Sequence, residues 1–425
     1  MKQNRYTTLT LLLLLLLSAC KSEVENCFPN SASERLENEI VRYQDLLTKP
    51  QHGWVMEYYP GGTTQAWGGF ALTVSFTKEG EATFHSILSE KLSESDTSPY
   101  ELGKDVGPTL NFNVYNKLLS YFSDPDKNEG DGQGAGYLGD YEFVLKQGSA
   151  DSVIMIGKKH NSVIRLYPLT EPAEKYLEKA RTIRDSFVKV PGILSLSGTW
   201  AGEPIVGELV TPQRLLLTQG KEQTYVSFMF TDKGVKLYKP IELSGKTVSA
   251  LEWNPTEQTF TSPDGIAQLK LDLTPNALPE EELLGDYVLS YGLRNRSKSD
   301  VTIAKKNGAI VMTGLPFDIY LLYNSKKGAL ELLTQSIGPK SEKNYLAIWD
   351  TSVGRLSWMS GLGLVTEWNG DKEDFVLRLV PNDFAWMGEN GPLKGTGFIF
   401  WNSATKEEVK VKPSRFSNPI LTKKK

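Results

Sequence analysis

Three oxygen-bearing side chains alternate at Asp124, Asp126 and Asn128, the spacing with which acidic loops offer carboxylate and amide oxygens to a hard cation such as calcium. The stretch runs on through Glu129, Gly130, Asp131 and Gly132. A helix–loop–helix calcium site places glycine sixth and glutamate twelfth; those places hold Glu129 and Ala135. Two readings therefore stand, a looser cation site that Asp140 and Glu142 join if the loop folds back, or a solvated glycine-rich loop. A second set of residues is aromatic. Of nine tryptophans, five lie between Trp349 and Trp401, namely these two with Trp358, Trp368 and Trp386. Asn369, Asp383, Glu389 and Asn390 are close by in sequence. Flat indoles cover the apolar face of a sugar ring while Asp and Asn bind its hydroxyls, and a concave site with a few placed polar groups is the general form of a ligand pocket. Trp358, Trp368, Asp383 and Trp386 are the candidate ligand-binding residues, with Trp386 foremost because Asn382 to Gly388 reads as a loop. The competing reading is that these rings fill a β-rich interior.

No catalytic residue emerges. His52, His85 and His160 are far apart, and no His-Glu-x-x-His helix occurs. There is neither a Gly-x-Ser-x-Gly elbow nor a phosphate-binding Gly-Lys-Ser/Thr loop. Paired carboxylates for glycoside hydrolysis are defined by spatial separation, so the 51 acids of the chain carry no information on that point. A hydrolase stays open only as an alternative.

The amino terminus has a chemistry of its own. Lys2 and Arg5 precede an apolar tract at Leu9 and Leu11 to Leu17, followed by Ser18, Ala19 and Cys20. A positive start, a short apolar core and small residues before a cut describe an export signal, too short to span a bilayer as a helix. Leu17-Ser18-Ala19-Cys20 resembles the lipobox of bacterial lipoproteins. That resemblance implies cleavage before Cys20 and a diacylglycerol on its sulfur, so that the acyl chains anchor the protein to a membrane. The polar, acid-leaning residues Lys21 to Asn26 are similar to signals that send lipoproteins to the outer face of the outer membrane. Lipid on Cys20 leaves Cys27 alone, and an internal disulfide is excluded.

With 47 basic and 51 acidic side chains the formal charge is -4, so nucleic acid is not an expected partner. Hydrophobic residues at 40% and charged residues at 23% suit an ordered globular protein, and the length predicts more than one domain. Ser31 and Glu34 have capping-box spacing, and Leu36, Ile40, Tyr43 and Leu47 form a helical stripe that Pro50 ends. A second helix is expected from Glu171 to Val188, with Pro172 in its first turn and Tyr176, Ala180, Ile183 and Phe187 on its buried face. Most other segments alternate as strands. Phe70, Leu72, Val74 and Phe76 share a face, and Lys78 to Glu81 turns the chain back into Ala82 to Leu88. Further runs follow at 141–145, 152–156, 163–167, 225–230, 234–238, 301–304, 309–312, 319–323, 345–349 and 375–379.

The expected fold class is mainly β with a few helices (α+β), built of antiparallel sheets as lipocalin- or calycin-like barrel or sandwich domains. Leu138-Gly139-Asp140-Tyr141 is echoed by Leu284-Gly285-Asp286-Tyr287 and, more loosely, by Gly198-Thr199-Trp200. A glycine two places before a large aromatic resembles the first strand of lipocalin-like barrels, where the ring plugs one end. Pro- and Asn-bearing residues 274–281 have linker composition. The expected organisation is a signal peptide at 1–19, a lipidated tether at 20–30, a β-rich domain with two helices at 31–275 with a possible joint near 191, and a C-terminal antiparallel domain at 276–425.

A longer series of motifs adds a family. Gly53-Trp54 with Tyr58-Tyr59-Pro60, then Gly68-Gly69-Phe70, Leu110-Asn111-Phe112, Tyr115-Asn116-Lys117-Leu118, Ser123-Asp124-Pro125, Gly139 to Phe143 and Gly157-Lys158-Lys159 occur in this order. Over roughly residues 33–187 the series resembles the Bacteroidota lipoproteins known as domain of unknown function 4302. The resemblance implies a place beside a TonB-dependent outer-membrane importer and its surface-binding lipoprotein, with a role in capturing a glycan or peptide nutrient. An interaction module without a small ligand is the alternative. The family supplies no catalytic residues, and no cofactor is expected apart from calcium in the looser reading of the Asp124–Asn128 loop.

Overall fold

The computed structural model describes residues 30–127, 136–384 and 395–425. It is mainly β, with antiparallel sheets and few helices, in agreement with the expected class. Helix α1, Ala32–Leu47, opens it. Its capping box is complete: the Glu34 amide donates to Ser31 Oγ at 3.2 Å and the Ser31 amide donates to Glu34 Oε2 at 2.8 Å. Of the expected stripe, Tyr43 and Leu47 are the buried members.

A nine-stranded antiparallel sheet follows, with Trp54–Tyr58 in its interior between Phe70–Phe76 and Val163–Pro168. Its edge strands, Ser95–Pro99 and Glu101–Lys104, are separated in sequence by Tyr100 alone. The sheet must therefore curl until its edges adjoin. Inside the curl lie Trp54, Met56, Tyr58, Leu72, Phe84, Phe122 and Phe143. Helix α1 joins this core through Tyr43 and Leu47, and the Trp54 indole donates to the Leu47 carbonyl at 2.8 Å.

Helix α2, Ala173–Val188, has Pro172 as its N-cap rather than in its first turn. It lies between the outer face of this sheet and the next unit. Leu177 and Ala180 pack with Tyr59, Ala71 and Met229. Phe187 enters the interior of an eight-stranded closed barrel that runs from Ile193–Trp200 to Ala267–Leu273. The strands neighbour one another in chain order, and the first pairs with the last through Leu196 opposite Leu271. Gly198 is required at this closure, because a methyl there would collide with the Gln268 carbonyl.

A second closed barrel begins with Gly285–Tyr291 and ends with Ile420–Lys423. It differs in that further strands intervene between its wall strands Ala329–Leu333 and Gly363–Trp368, and again between Val376–Pro381 and Ile420–Lys423. These strands build a further sheet around Asn344–Asp350 and Gly397–Asn402. Leu346, Ile348, Phe398 and Phe400 on one face of that sheet merge with the barrel core. The two barrels are tied at the linker: the Gly192 amide donates to the Ser325 carbonyl and Thr274 Oγ1 to the Lys326 carbonyl, each at 2.7 Å.

The repeated glycine–aromatic pattern resolves into two kinds. Trp200 and Tyr287 stand in the first strand of each closed barrel and are fully buried, the indole donating to the Lys246 carbonyl and the phenol to the Leu283 carbonyl. Tyr141 does otherwise: it is exposed, and Gly139 is needed for contact with Phe122. Both closed barrels are filled, with interior spaces of about 10 Å³ each. That is the volume of a single water probe, so neither is a cup for a ligand.

Candidate functional site

At one end of the second barrel, strand Gly363–Trp368 alternates so that Leu364 and Thr366 face the interior and Trp368 reaches the rim. Its indole lies 5.6 Å from the Phe375 ring at 32°. Its Nε1 is buried and meets no acceptor. Opposite, the hairpin after Ile319–Asn324 turns at Lys327, whose amide donates to Asn324 Oδ1 at 3.1 Å. Gly328 has φ +56 and sits where a side chain would strike the backbone of Leu278. The turn thereby brings the Lys327 ammonium to 2.6 Å from Asp383 Oδ2. Trp368, Lys327, Glu367, Thr366 and linker residue Asn276 enclose a pocket of about 420 Å³. Beneath Phe375 the Lys423 ammonium is 5.0 Å from the ring centre and donates to the Glu282 carbonyl; burial pushes its pKa down, with Glu282 opposing. The structure thus brings the sequence candidates Trp368 and Asp383 to one site through Lys327. The chemistry on offer is an aromatic face with a lysine, carboxylates and amide oxygens around it, suited to holding hydroxyls.

Trp358 is placed elsewhere, on the appended sheet. It is 41% exposed and lies 6.4 Å from Tyr345 at 30°. Trp349 shares the face with Tyr345, two strand periods along, and Tyr345 is paired with Trp401. The Arg415 guanidinium is 5.9 Å from the Trp349 ring. The loop carrying Trp358 is pinned by Thr334 Oγ1 donating to the Met359 carbonyl, while Asp350 fixes the preceding turn, accepting from the Ser352 amide, the Ser352 hydroxyl and the Gly395 amide. Met359 and Phe384 are also exposed there. Cys20, Cys27, Asn128 and Trp386 lie outside the described residues. Asp124 and Asp126 form a tight turn, the Asp126 amide donating to Asp124 Oδ1 at 3.0 Å. Asp140 is committed to another turn, accepting from the Lys159 and His160 amides, and Glu142 pairs with Lys158. Among the described residues no three potential metal ligands cluster.

The family described as domain of unknown function (DUF4302) matches residues 24–255, more than half of the chain. The chain belongs to the DUF4302 family. A second family, DUF4987, also a domain of unknown function, matches residues 276–391. No curated protein and no solved structure matches the chain. The DUF4302 match spans the curled sheet and the first barrel through its strand Lys246–Asn254. The second match starts at the linker and takes in most of the second barrel, Trp368 and Asp383 included.

Within the DUF4302 part lies a cleft of about 540 Å³ between sheet and barrel, which the sequence did not disclose. Glu57 projects from the sheet's outer face, only 3% exposed, and meets the Lys236 ammonium of the barrel at 2.5 Å. Lys236 rests 3.8 Å from the Tyr167 ring centre, and the Tyr59 hydroxyl donates to the Lys236 carbonyl. Burial raises the Glu57 pKa above its ordinary value, against Lys236 and the cross-strand Arg165. Arg165 in turn lies over the Tyr238 ring at 5.0 Å. The available signal was a charge inside the apolar run Trp54 to Tyr59, since a carboxylate is rarely buried unless paired.

Proposed function

We propose that this protein is a lipid-anchored component of the outer membrane that binds a nutrient ligand, glycan in the first instance, beside a TonB-dependent importer and its surface-binding lipoprotein. The anchor is the thioether on Cys20, and the protein faces the cell exterior. The observation that carries the ligand-binding reading is the Trp368 pocket, where an indole, the Lys327–Asp383 pair, Glu367 and Asn276 converge. The filled barrels support it by excluding the interior sites that such barrels otherwise offer. Binding rather than turnover is the activity proposed.

A panel of outer-membrane-relevant glycans and peptides, titrated against the full chain in detergent, tests this. Saturable glycan binding that weakens roughly tenfold in Trp368→Ala, or in Trp386→Ala, supports the reading. Glycan binding indifferent to both substitutions overturns it. The second reading is a protein-docking module, favoured by the exposed Trp358, Met359 and Phe384. Co-purification of a membrane complex that Trp358→Ala disperses, without glycan binding, favours that reading. Product released from a peptide or polysaccharide establishes a hydrolase instead.

A further inference from the structure

The cleft between the curled sheet and the first barrel shows how it holds an ammonium group, because one of its own does so. The Lys236 ammonium sits between a carboxylate, Glu57 at 2.5 Å, and an aromatic face, Tyr167 at 3.8 Å. Carboxylate and ring together bind a cation by charge and by the ring quadrupole. The same cleft repeats the combination. Tyr176 of helix α2 and Asp232 of the barrel hairpin line it together, close enough that Asp232 raises the Tyr176 pKa, after burial the largest cause. Glu252 adds a second carboxylate to the same lining. Among the described residues neither Asp232 nor Glu252 forms an ion pair, and neither does Lys233 beside them. Glu171, the remaining acid, is spent on Lys175 and Lys179. The uncompensated charge of the lining is therefore negative, next to a tyrosine ring, in a cavity large enough for a small solute.

We propose that this cleft binds a primary ammonium group of a small solute, with Asp232 and Glu252 as its counter-ions and the Tyr176 ring as its wall. The ammonium can belong to an amino sugar, a peptide amino terminus or a diamine. The site stands on the first two units alone and does not involve the Trp368 pocket. It is tested by isothermal titration of the full chain with glucosamine, alanyl-alanine and 1,4-diaminobutane, using N-acetylglucosamine and N-acetyl-alanyl-alanine as neutral controls. The expected result is saturable binding of at least one ammonium probe, weakened roughly tenfold or more by acetylation where the probe has an acetylated control and by added salt. Which probe binds identifies the source. Asp232→Asn combined with Glu252→Gln changes exposed residues, so the fold and its Tm are expected to hold while affinity falls roughly tenfold. Trp368→Ala leaves this binding unchanged. Equal affinity for glucosamine and N-acetylglucosamine, unchanged affinity in the double variant, or no binding of any ammonium probe overturns the proposal.

Discussion

The two closed barrels are alike in their walls and unlike in what is attached to them. Each has eight antiparallel strands and an interior of about 10 Å³. In each, a ring from outside the wall helps fill the interior: Phe187 from helix α2 in the first, Phe398 from the appended sheet in the second. The first barrel spends its outer surface on the curled sheet, through Lys236, Tyr238 and Met229. The second turns two of its connections into a sheet that carries Tyr345, Trp349, Trp358 and Trp401. The core is scaffold in both cases, and the clefts and exposed aromatics lie at a barrel rim or where an element joins the barrel from outside.

If both outside rings are structural plugs, removing either should cost the same order of free energy. Phe187 lies against Trp253 at 5.4 Å and Phe260 at 5.2 Å. Phe398 stacks on Phe416 at 4.3 Å. Phe187→Ala and Phe398→Ala are each expected to destabilise by about 3–5 kcal/mol, read from urea denaturation followed by tryptophan fluorescence. A loss below about 1 kcal/mol for one of them breaks the equivalence and marks that ring as dispensable to its barrel.

Much of this architecture was legible because period-two alternation is local. Phe70 to Phe76 shows its buried face in sequence and forms the strand Phe70–Phe76. The Ser31–Glu34 box was legible for the same reason, since both partners sit within one helical turn. Closure was not, because pairing Leu196 with Leu271, or bringing Glu101–Lys104 to the far edge from Ser95–Pro99, depends on long-range packing. The sites suffered from the same limit. Trp358 and Trp368 are neighbours in sequence but separate in the fold, because strand Gly363–Trp368 leaves the appended sheet's neighbourhood and enters the barrel wall. Glu57 and Lys236 are remote in the chain, and neither residue announces the other.

The two first strands differ in how tightly glycine is needed. A methyl at Gly198 would meet the Gln268 carbonyl and the Leu269 Cα, which are backbone atoms of the closing strand. At Gly285 it would meet only the end of the Lys423 side chain, at 3.0 Å, though φ is +137 there. Gly198→Ala is expected to destabilise by about 1–3 kcal/mol through overpacking. Gly285→Ala should cost less, because a lysine end moves more easily than a strand, and the remaining penalty is backbone strain. Thermal unfolding of the two variants ranks them. The reverse order would mean that backbone conformation, not strand approach, governs closure of these barrels.

The smallest effect concerns the join of sheet and first barrel, where a buried carboxylate meets a lysine across two units, whereas Asp350 beside the second barrel is buried against Arg355 of its own sheet. Burial raises the Glu57 pKa from its ordinary 4.5, and Lys236 only partly opposes it. A carboxyl group whose folded pKa is raised binds its proton more tightly in the fold than in the unfolded chain. Its contribution to stability is therefore full at pH below the unfolded value and is lost as pH climbs through the folded one. Carboxylates held low by hydrogen bonds, such as Glu171 with Lys179, slope the opposite way, so the whole-protein curve hides the effect. Comparison with Glu57→Gln isolates it. The Tm of the variant minus that of the native chain should rise between about pH 4 and about pH 7, because only the native chain must ionise a buried acid. A difference that falls over that range would show that the bond to Lys236 outweighs the cost of burial, and that the sheet and barrel are held together by that charge pair.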